Sequence, residues 1–430
     1  MAGKKAKQLT LEEKLQNALV PKEEQPYKIP DNWCWVYLTK GMAKCLDKHR
    51  KPINATERNN RLGNIPYYGA TGQVGWIDDY LTNEQLVLIG EDGAPFFNLL
   101  KNKAYIINGK SWVNNHAHIL KSFYGEIGNK YLCSYLNIFD YKDYINGTTR
   151  LKLTQKKLDI IPIPLAPLNE QQRIVNKIES LFAKLNKAKK LTENMLAQFE
   201  QNKMTILHKA FTGELTTKWR KKEYITKNST WQLVNIKTVT KKIFAGGDVP
   251  KNNLSSEKNT EFNIPIYTNG EKNNGLYGYT NEAKVNNIAI TISARGTIGY
   301  TAIRIPPFYP AIRLITIIPD LEKINIKFLY YIFTFFRVNS AGSSIPQLTI
   351  PMVKDYNFEL PTIEEQQEIV NILDKLLAKY NKIQNLNKQL EQIELLKKSI
   401  LAKAFRGELG TNDPQEESAE KLLAEILAEN

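Results

Sequence analysis

Apolar residues along this chain alternate between two spacing regimes. A short amphipathic pattern (Leu9, Leu11, Leu15, Ala18, Leu19) ends at Pro21. From residue 30 to 164 the apolar residues come in brief runs such as Gln85-Leu86-Val87-Leu88-Ile89, broken by Gly, Asn and Pro clusters. That texture predicts short strands joined by turns. The regime then switches. Ile174, Ile178, Leu181, Leu185, Ala188, Met195, Phe199 and Ile206 form a stripe of mixed four and three spacing, interrupted at Thr192 and Asn202. A stripe this narrow predicts a coiled-coil helix over about 170–211 rather than a helix lying on a broad core. Gly213 supplies its stop signal. The polar stretch Thr216–Ser229 reads as a linker, and strand-like texture returns over about 231–360. A second stripe follows over 364–405: Ile369, Leu373, Leu376, Tyr380, Ile383, Leu386, Leu390, Ile393 and Ile400. The tail from Asp413 is acidic and ends in a short helical pattern, Ala419 to Leu427.

The two stripes are near copies. Leu165, Glu170-Gln171-Gln172, Ile174-Val175, Lys209-Ala210-Phe211 and Gly213-Glu214-Leu215 return as Leu360, Glu365-Gln366-Gln367, Ile369-Val370, Lys403-Ala404-Phe405 and Gly407-Glu408-Leu409. The offset, about 195 residues, is far beyond the roughly 20–50 of a solenoid unit. This is a duplicated domain with its helix. From Glu170 to Gly213 there are 43 steps but from Glu365 to Gly407 only 42, so the second stripe should shift phase near Leu386. The β-rich regions match more faintly, through Asn64-Ile65-Pro66-Tyr67-Tyr68 with Asn263-Ile264-Pro265-Ile266-Tyr267. A second match joins Gly147-Thr148-Thr149 and Leu153-Thr154 with Gly342-Ser343-Ser344 and Leu348-Thr349. A retained scaffold with a changed surface suits two domains that read two different ligands.

The expected fold is α+β: two β-rich domains separated by two long helices that form an antiparallel coiled coil with a pseudo-twofold axis. Each helix should be roughly 60 Å long. The boundaries read from the pattern are an N-terminal helical segment (1–29), a first β-rich domain (30–164) and a first helical spacer (165–216). A linker (217–230), a second β-rich domain (231–359), a second spacer (360–410) and an acidic helical tail (411–430) complete the chain.

Charge narrows the partner. A net charge of +15 and a pI near 9.3 point to a polyanion. Residues 33–163 carry 17 Lys/Arg against 11 Asp/Glu and residues 231–357 carry 14 against 8, so both β-rich regions share the excess. Within them, basic residues gather in loops beside small or polar neighbours. The candidates for nucleic-acid contact are Lys48, Arg50, Lys51, Arg150, Lys152, Lys241, Lys242, Lys251, Arg295 and Gln347. Lys and Arg in such loops can anchor phosphates, and Arg, Asn or Gln can reach base edges. No run approaches the roughly 18 apolar residues of a spanning helix, and Met1-Ala2-Gly3-Lys4-Lys5 opens without a signal-peptide core. Cys34, Cys45 and Cys133 lack CxxC spacing. A cytoplasmic protein with reduced thiols and no membrane partner is expected.

Catalytic motifs fail one by one. Ile305-Pro306-Pro307-Phe308-Tyr309 resembles the Asp/Asn-Pro-Pro-Tyr/Phe loop of adenine methyltransferases, but Ile305 cannot accept a hydrogen bond from the amine under attack. Gly109-Lys110-Ser111 ends like a P-loop, yet Ala104 stands where its first glycine belongs. His116 and His118 have no Cys/His cluster to complete a metal site, and Glu91-Asp92-Gly93 reads as a strand-end turn. No catalytic residue and no metal ligand is assigned.

The helix signature, Pro-x-x-Glu-Gln-Gln-x-Ile-Val closing with Lys-Ala-Phe-x-Gly-Glu-Leu, resembles that of the specificity subunits of type I restriction-modification systems. Thr291-Ile292-Ser293-Ala294-Arg295-Gly296-Thr297-Ile298-Gly299 and Gly342-Ser343-Ser344-Ile345-Pro346-Gln347-Leu348-Thr349 resemble core segments of that family's target recognition domains. The resemblance covers about Asp31 to Leu409. It implies two target recognition domains, each reading one half of a split, asymmetric sequence in double-stranded DNA, with the family's conserved helices as spacer. It implies two modification subunits that methylate adenine N6 and motor-nuclease restriction subunits as partners. S-adenosylmethionine, ATP and Mg would belong to those partners, with no cofactor in this chain. The Gly246-Gly247 loop finds no clean match near Cys45–Pro52, and Ala166 stands where the second copy has Pro361. Rival readings are a free-standing nuclease or methyltransferase and a coiled-coil scaffold without sequence preference.

Overall fold

The computed structural model describes residues 9–147, 150–223, 225–340, 347–378 and 383–429, with side chains for all of these except 228, 229, 336–340 and 383–385. Tyr380 of the second stripe, and Thr148-Thr149 and Gly342–Pro346 of the repeated segment, lie outside the described residues. The chain divides into two units: Met1–Thr192 with Asn387–Asn430, and Glu193–Leu386.

In the first unit, the apolar run Leu86–Gly90 forms a strand buried along its whole length. A continuous apolar strand needs cover on both faces, and it has that. Its four-stranded antiparallel sheet runs Ala43–Cys45, Ala117–Ser122, Leu86–Gly90, Ala104–Ile107. Val87 and Ile89 pack toward the helix Gly125–Leu136 with Tyr131 and Leu132. Leu86 and Leu88 pack toward Val113 and Tyr68 of a second sheet. That sheet runs Gly72–Ile77, Ile65–Gly69, Lys110–Val113, Thr82–Asn83, and its middle pair is parallel, Tyr67 opposite Trp112. Cys34–Tyr37 pairs antiparallel with Pro162–Leu165, so the domain closes where the first long helix, Leu168–Phe211, begins.

The second unit repeats this skeleton. Thr240–Ala245, Ile315–Pro319, Ala289–Ile292 and Thr301–Arg304 form the four-stranded sheet in the same spatial order. The helix Ile326–Ser340 takes the place of Gly125–Leu136. Ile264–Tyr267 pairs with Leu276–Thr280 and, in parallel, with Tyr309–Pro310. Both units even shift register at the matching step, Tyr67/Tyr68 and Ile266/Tyr267. Gln232–Asn235 closes on Asn357–Leu360 before the second long helix, described as Ile363–Ala378 and Ile383–Ala404.

The stripes pair head to tail within each unit. In the first, Ile174, Val175 and Ile178 share a core with Leu401, Ala404 and Phe405, and Lys189 reaches Glu394 at 2.9 Å. In the second, Leu207 and Ala210 share a core with Ile369, Val370 and Leu373. The start of one helix thus meets the end of the other, which is the antiparallel pairing. Burial concentrates at those ends. Ala188 and Met195, expected along the seam, are exposed.

The repeated Glu-Gln-Gln is a structural joint. Gln171 and Gln366 each donate from Nε2 to the carbonyl five residues back, on Ala166 and Pro361, both at 2.9 Å. An amide oxygen accepts there whichever residue carries it, which is why the Ala166/Pro361 difference is tolerated. Glu170, fully buried, accepts from Trp33 Nε1 at 2.7 Å and Asn412 Nδ2 at 2.9 Å. Glu365, equally buried, accepts from Thr216 Oγ1 at 2.6 Å and pairs with Arg220. The stretch read as a linker therefore contains packed structure, including the helix Thr217–Lys222, whose Arg220 is 7% exposed. Within it, Arg220 meets the buried Glu365 carboxylate, while Lys221 and Lys222 stay exposed.

Candidate nucleic-acid interface

Strand register builds one loop cradle in each unit. The central strand ends past Ile89, opposite His118, and past Ile292, opposite Ile315. The chain then turns through Glu91-Asp92-Gly93 in one unit and Ala294-Arg295-Gly296 in the other. The turning glycines share the same left-handed backbone, φ 71° and 69°, which residues with a Cβ rarely adopt. A second wall lies alongside: the Leu153 amide donates to the Glu91 carbonyl at 2.7 Å, and the Leu348 amide to the Ala294 carbonyl at 3.0 Å. A third follows the parallel-paired strand, where the Asn114 and Ala311 amides donate to the Tyr68 and Tyr267 carbonyls at 3.1 and 2.9 Å. It places His116 and Arg313 at matching positions. The fourth continues the first strand. Cys45 lies opposite Leu120 and Ile243 opposite Ile317; beyond that point the first unit turns into the short 3₁₀ helix Asp47–His49, while the second runs on through Ala245 to Gly246-Gly247.

The same cradle holds opposite chemistry. In the first unit, Asp92 Oδ1 accepts from His116 Nδ1 at 2.7 Å and from Arg150 Nη2 at 3.0 Å. Glu91 accepts from Arg50 and, at 3.0 Å, from Lys152. Burial pushes the Glu91 carboxyl up, but the hydrogen bonds from Arg50 and Lys152 outweigh it and hold the group below the usual range. Asp47 behaves alike: burial raises it, while the His118 ring, the Ile119 amide and Arg50 bring it net below the usual range. In the second unit, Arg295 stands at the position of Asp92. It donates from Nε and Nη2 to Gln347 Oε1 at 3.3 and 3.1 Å. The loop beneath is braced by Asn269, whose Oδ1 accepts from the Ala294 amide at 2.7 Å.

The sequence candidates separate on this geometry. Arg150, Lys152, Arg295 and Gln347 line the cradles, and Lys48 is exposed at the rim of the first. Arg50 is 17% exposed and spent on Asp47 and Glu91, so it braces the loop rather than reaching a phosphate. Lys51 lies over the Trp112 ring at 5.8 Å, and Arg61 at 4.7 Å. Lys241 and Lys242 are exposed but sit toward the Ile318–Pro319 end of their strand, away from the cradle. Lys251 is exposed beyond the Gly246-Gly247 turn. The paired histidines, weighed as metal ligands, are held by carboxylates. His118 is further closed by Nε2 donating to the Leu153 carbonyl at 2.9 Å. Cys45, Asp47 and His118 do converge, with donor atoms within 4.8 Å. Both His118 nitrogens and both Asp47 oxygens are already engaged in hydrogen bonds, and an ion would have to displace them. Asp92, His116 and Arg313 are not legible as cradle residues in the sequence, because their membership follows from register between distant strands.

Comparison with known proteins gives a consistent picture. The family model described as the type I restriction modification DNA specificity domain matches residues 30–193 and again 228–395. A Haemophilus influenzae protein named as a type I restriction enzyme specificity subunit is 29% identical over 367 residues, covering 80% of this chain and 87% of that protein. A Mycoplasma pneumoniae type I specificity subunit is 28% identical over 381 residues, covering 87% and 94%. A solved structure, described as the structural basis of complex assembly and conformational transition of the type I R-M system, shares the fold. Its TM-score is 0.66 at 17% identity, over 89% of this chain and all of the other.

Proposed function

We infer function from a premise the comparisons establish: the chain belongs to the type I restriction-modification DNA specificity family. It is the DNA sequence-recognition subunit of such a system, and it is noncatalytic. In our reading the target is bipartite and asymmetric, one half for each cradle. The observation that carries this is the pair of cradles, alike in backbone to the turning glycine and opposite in side-chain chemistry where Asp92 and Arg295 correspond. Two ligands of one kind, differing in donor and acceptor pattern, fit such a pair; two DNA half-sites do so.

Anchoring falls to exposed lysines such as Lys48 and Lys251, and reading to the cradle side chains. We further propose that two adenine-methylating modification subunits and a motor-nuclease subunit assemble on this chain. S-adenosylmethionine, ATP and Mg would then serve those partners. The test is exchange: replacing residues 231–357 with the corresponding region of a relative, then mapping methylated adenines in the host genome. One half of the recognised sequence should change and the other persist. A swap that alters both halves refutes separate addresses, and a methylation pattern indifferent to this gene refutes the function.

A further inference from the structure

Both cradles present a guanidinium, and they do so from opposite walls. In the first unit the acceptor, Asp92, sits on the central-strand loop and the arginine, Arg150, on the facing segment. In the second the arginine, Arg295, sits on the central-strand loop and the acceptor, Gln347, on the facing segment. Donor and acceptor have exchanged walls while the pair itself is kept. The sequence repeat does not reveal this exchange, since Arg150 and Arg295 are not at matching positions.

The buttress matters for what such an arginine can touch. A phosphate accepts from any direction and a flexible lysine serves it well. A base edge accepts only in its own plane. Gln347 Oε1 accepts from Nε and one Nη2 proton of Arg295, which holds the side edge of the guanidinium; among the described residues the terminal edge, with Nη1 and the other Nη2 proton, has no hydrogen-bond partner. Arg150 is tied through Nη2 to a carboxylate and is still 65% exposed. A carboxylate beside a phosphate-binding arginine would repel the phosphate, whereas beside a base-reading arginine it restrains the guanidinium. Two parallel donors on a restrained guanidinium match the O6 and N7 acceptors of guanine.

We propose that Arg150 and Arg295 each read a guanine, one in each half-site, with Asp92 and Gln347 as their positioning residues. This rests on the reading of the chain as a two-address DNA-recognition subunit. It names the base class that each cradle takes.

The experiment is selection from a library of random duplexes by the full-length chain, wild type against R150K, R295K, Q347A and Q347E. Lysine keeps the charge but not the fork, and Arg150 and Arg295 are exposed, so folding is preserved and checked by unchanged thermal melting. The wild type should enrich a two-part motif with an invariant guanine in each part. R295K should lose guanine preference in one part only and R150K in the other, with affinity for the wild-type motif falling roughly 5- to 150-fold. Q347A should blur the same guanine as R295K, while Q347E, which retains an acceptor, should keep the preference even where overall affinity drops. If R150K and R295K weaken all duplexes alike and leave the motif intact, the arginines bind phosphate. The proposal then falls while the two-address reading stands. If the wild type enriches no two-part motif, both fall.

Discussion

Arg220 and Glu365 offer a quantitative test of the claim that the polar stretch after the first long helix is built-in structure. Glu365 is fully buried and Arg220 nearly so, and their ion pair is joined by Thr216 at 2.6 Å and Thr230 at 3.3 Å. Changing Arg220 to Met keeps the bulk and strands a carboxylate in the interior. Breaking a buried pair from one side costs about 3–5 kcal/mol, whereas replacing both members with apolar groups is often near neutral. R220M should therefore destabilise its unit by about 3–5 kcal/mol. The double variant R220M/E365M should recover most of that, leaving about 1–2 kcal/mol for the missing threonine bonds. A chain of two units does not unfold in one step, so the readout is local: amide hydrogen exchange in Thr217–Lys222 and Ile363–Ala378. At about 1.4 kcal/mol per tenfold, R220M should speed exchange there by about two to four powers of ten. Amides of the first unit's central strand should be unaffected. An acceleration below tenfold, or a double variant worse than R220M, would refute the reasoning and return this stretch to the status of a linker.

Three further outcomes follow from charge. The double variant K48A/K251A should flatten the slope of log binding constant against log salt by roughly 0.9 for each phosphate that is no longer neutralised, and weaken all duplexes alike. An unchanged slope removes these lysines from the interface. Asp47, held below the usual carboxylate range by His118 despite burial, contributes stability that is complete at neutral pH and is lost as pH falls through its lowered value. D47N should abolish that part of the first unit's acid sensitivity below about pH 4, read as the difference between two pH–stability curves. If the two curves run parallel through this range, the Asp47–His118 bond is not the source. Lys103 is pulled down to about 8 by burial, with Lys398 adding repulsion. Its charged form therefore opposes folding at neutral pH, and wild-type stability should rise between about pH 8 and 10. K103M should be the more stable protein at pH 7 and lack that rise, and a less stable K103M would refute the assignment.

The amino-acid sequence by itself determined the elements and their duplication. Helical stripes are local: Ile174, Ile178 and the copies at Ile369 and Leu373 announce themselves within a few turns, and the Glu-Gln-Gln joint repeats almost verbatim. Strands with unbroken apolar runs such as Leu86–Ile89 are equally readable, because burial on both faces leaves no polar position. What only the tertiary structure decided was correspondence and partnership. Asp92 matches Arg295 through hydrogen-bond register between strands tens of residues apart, where side-chain identity carries no signal. Tertiary packing also sorted the cations. Arg50 and Arg150 look alike in a basic loop, yet one is enclosed by Asp47 and Glu91 while the other is held by Asp92 at the surface. Arg220, in a stretch whose composition reads as solvated linker, is buried against Glu365. A charge costs free energy to bury unless a partner meets it, and that partner is fixed by folding rather than by neighbours in sequence.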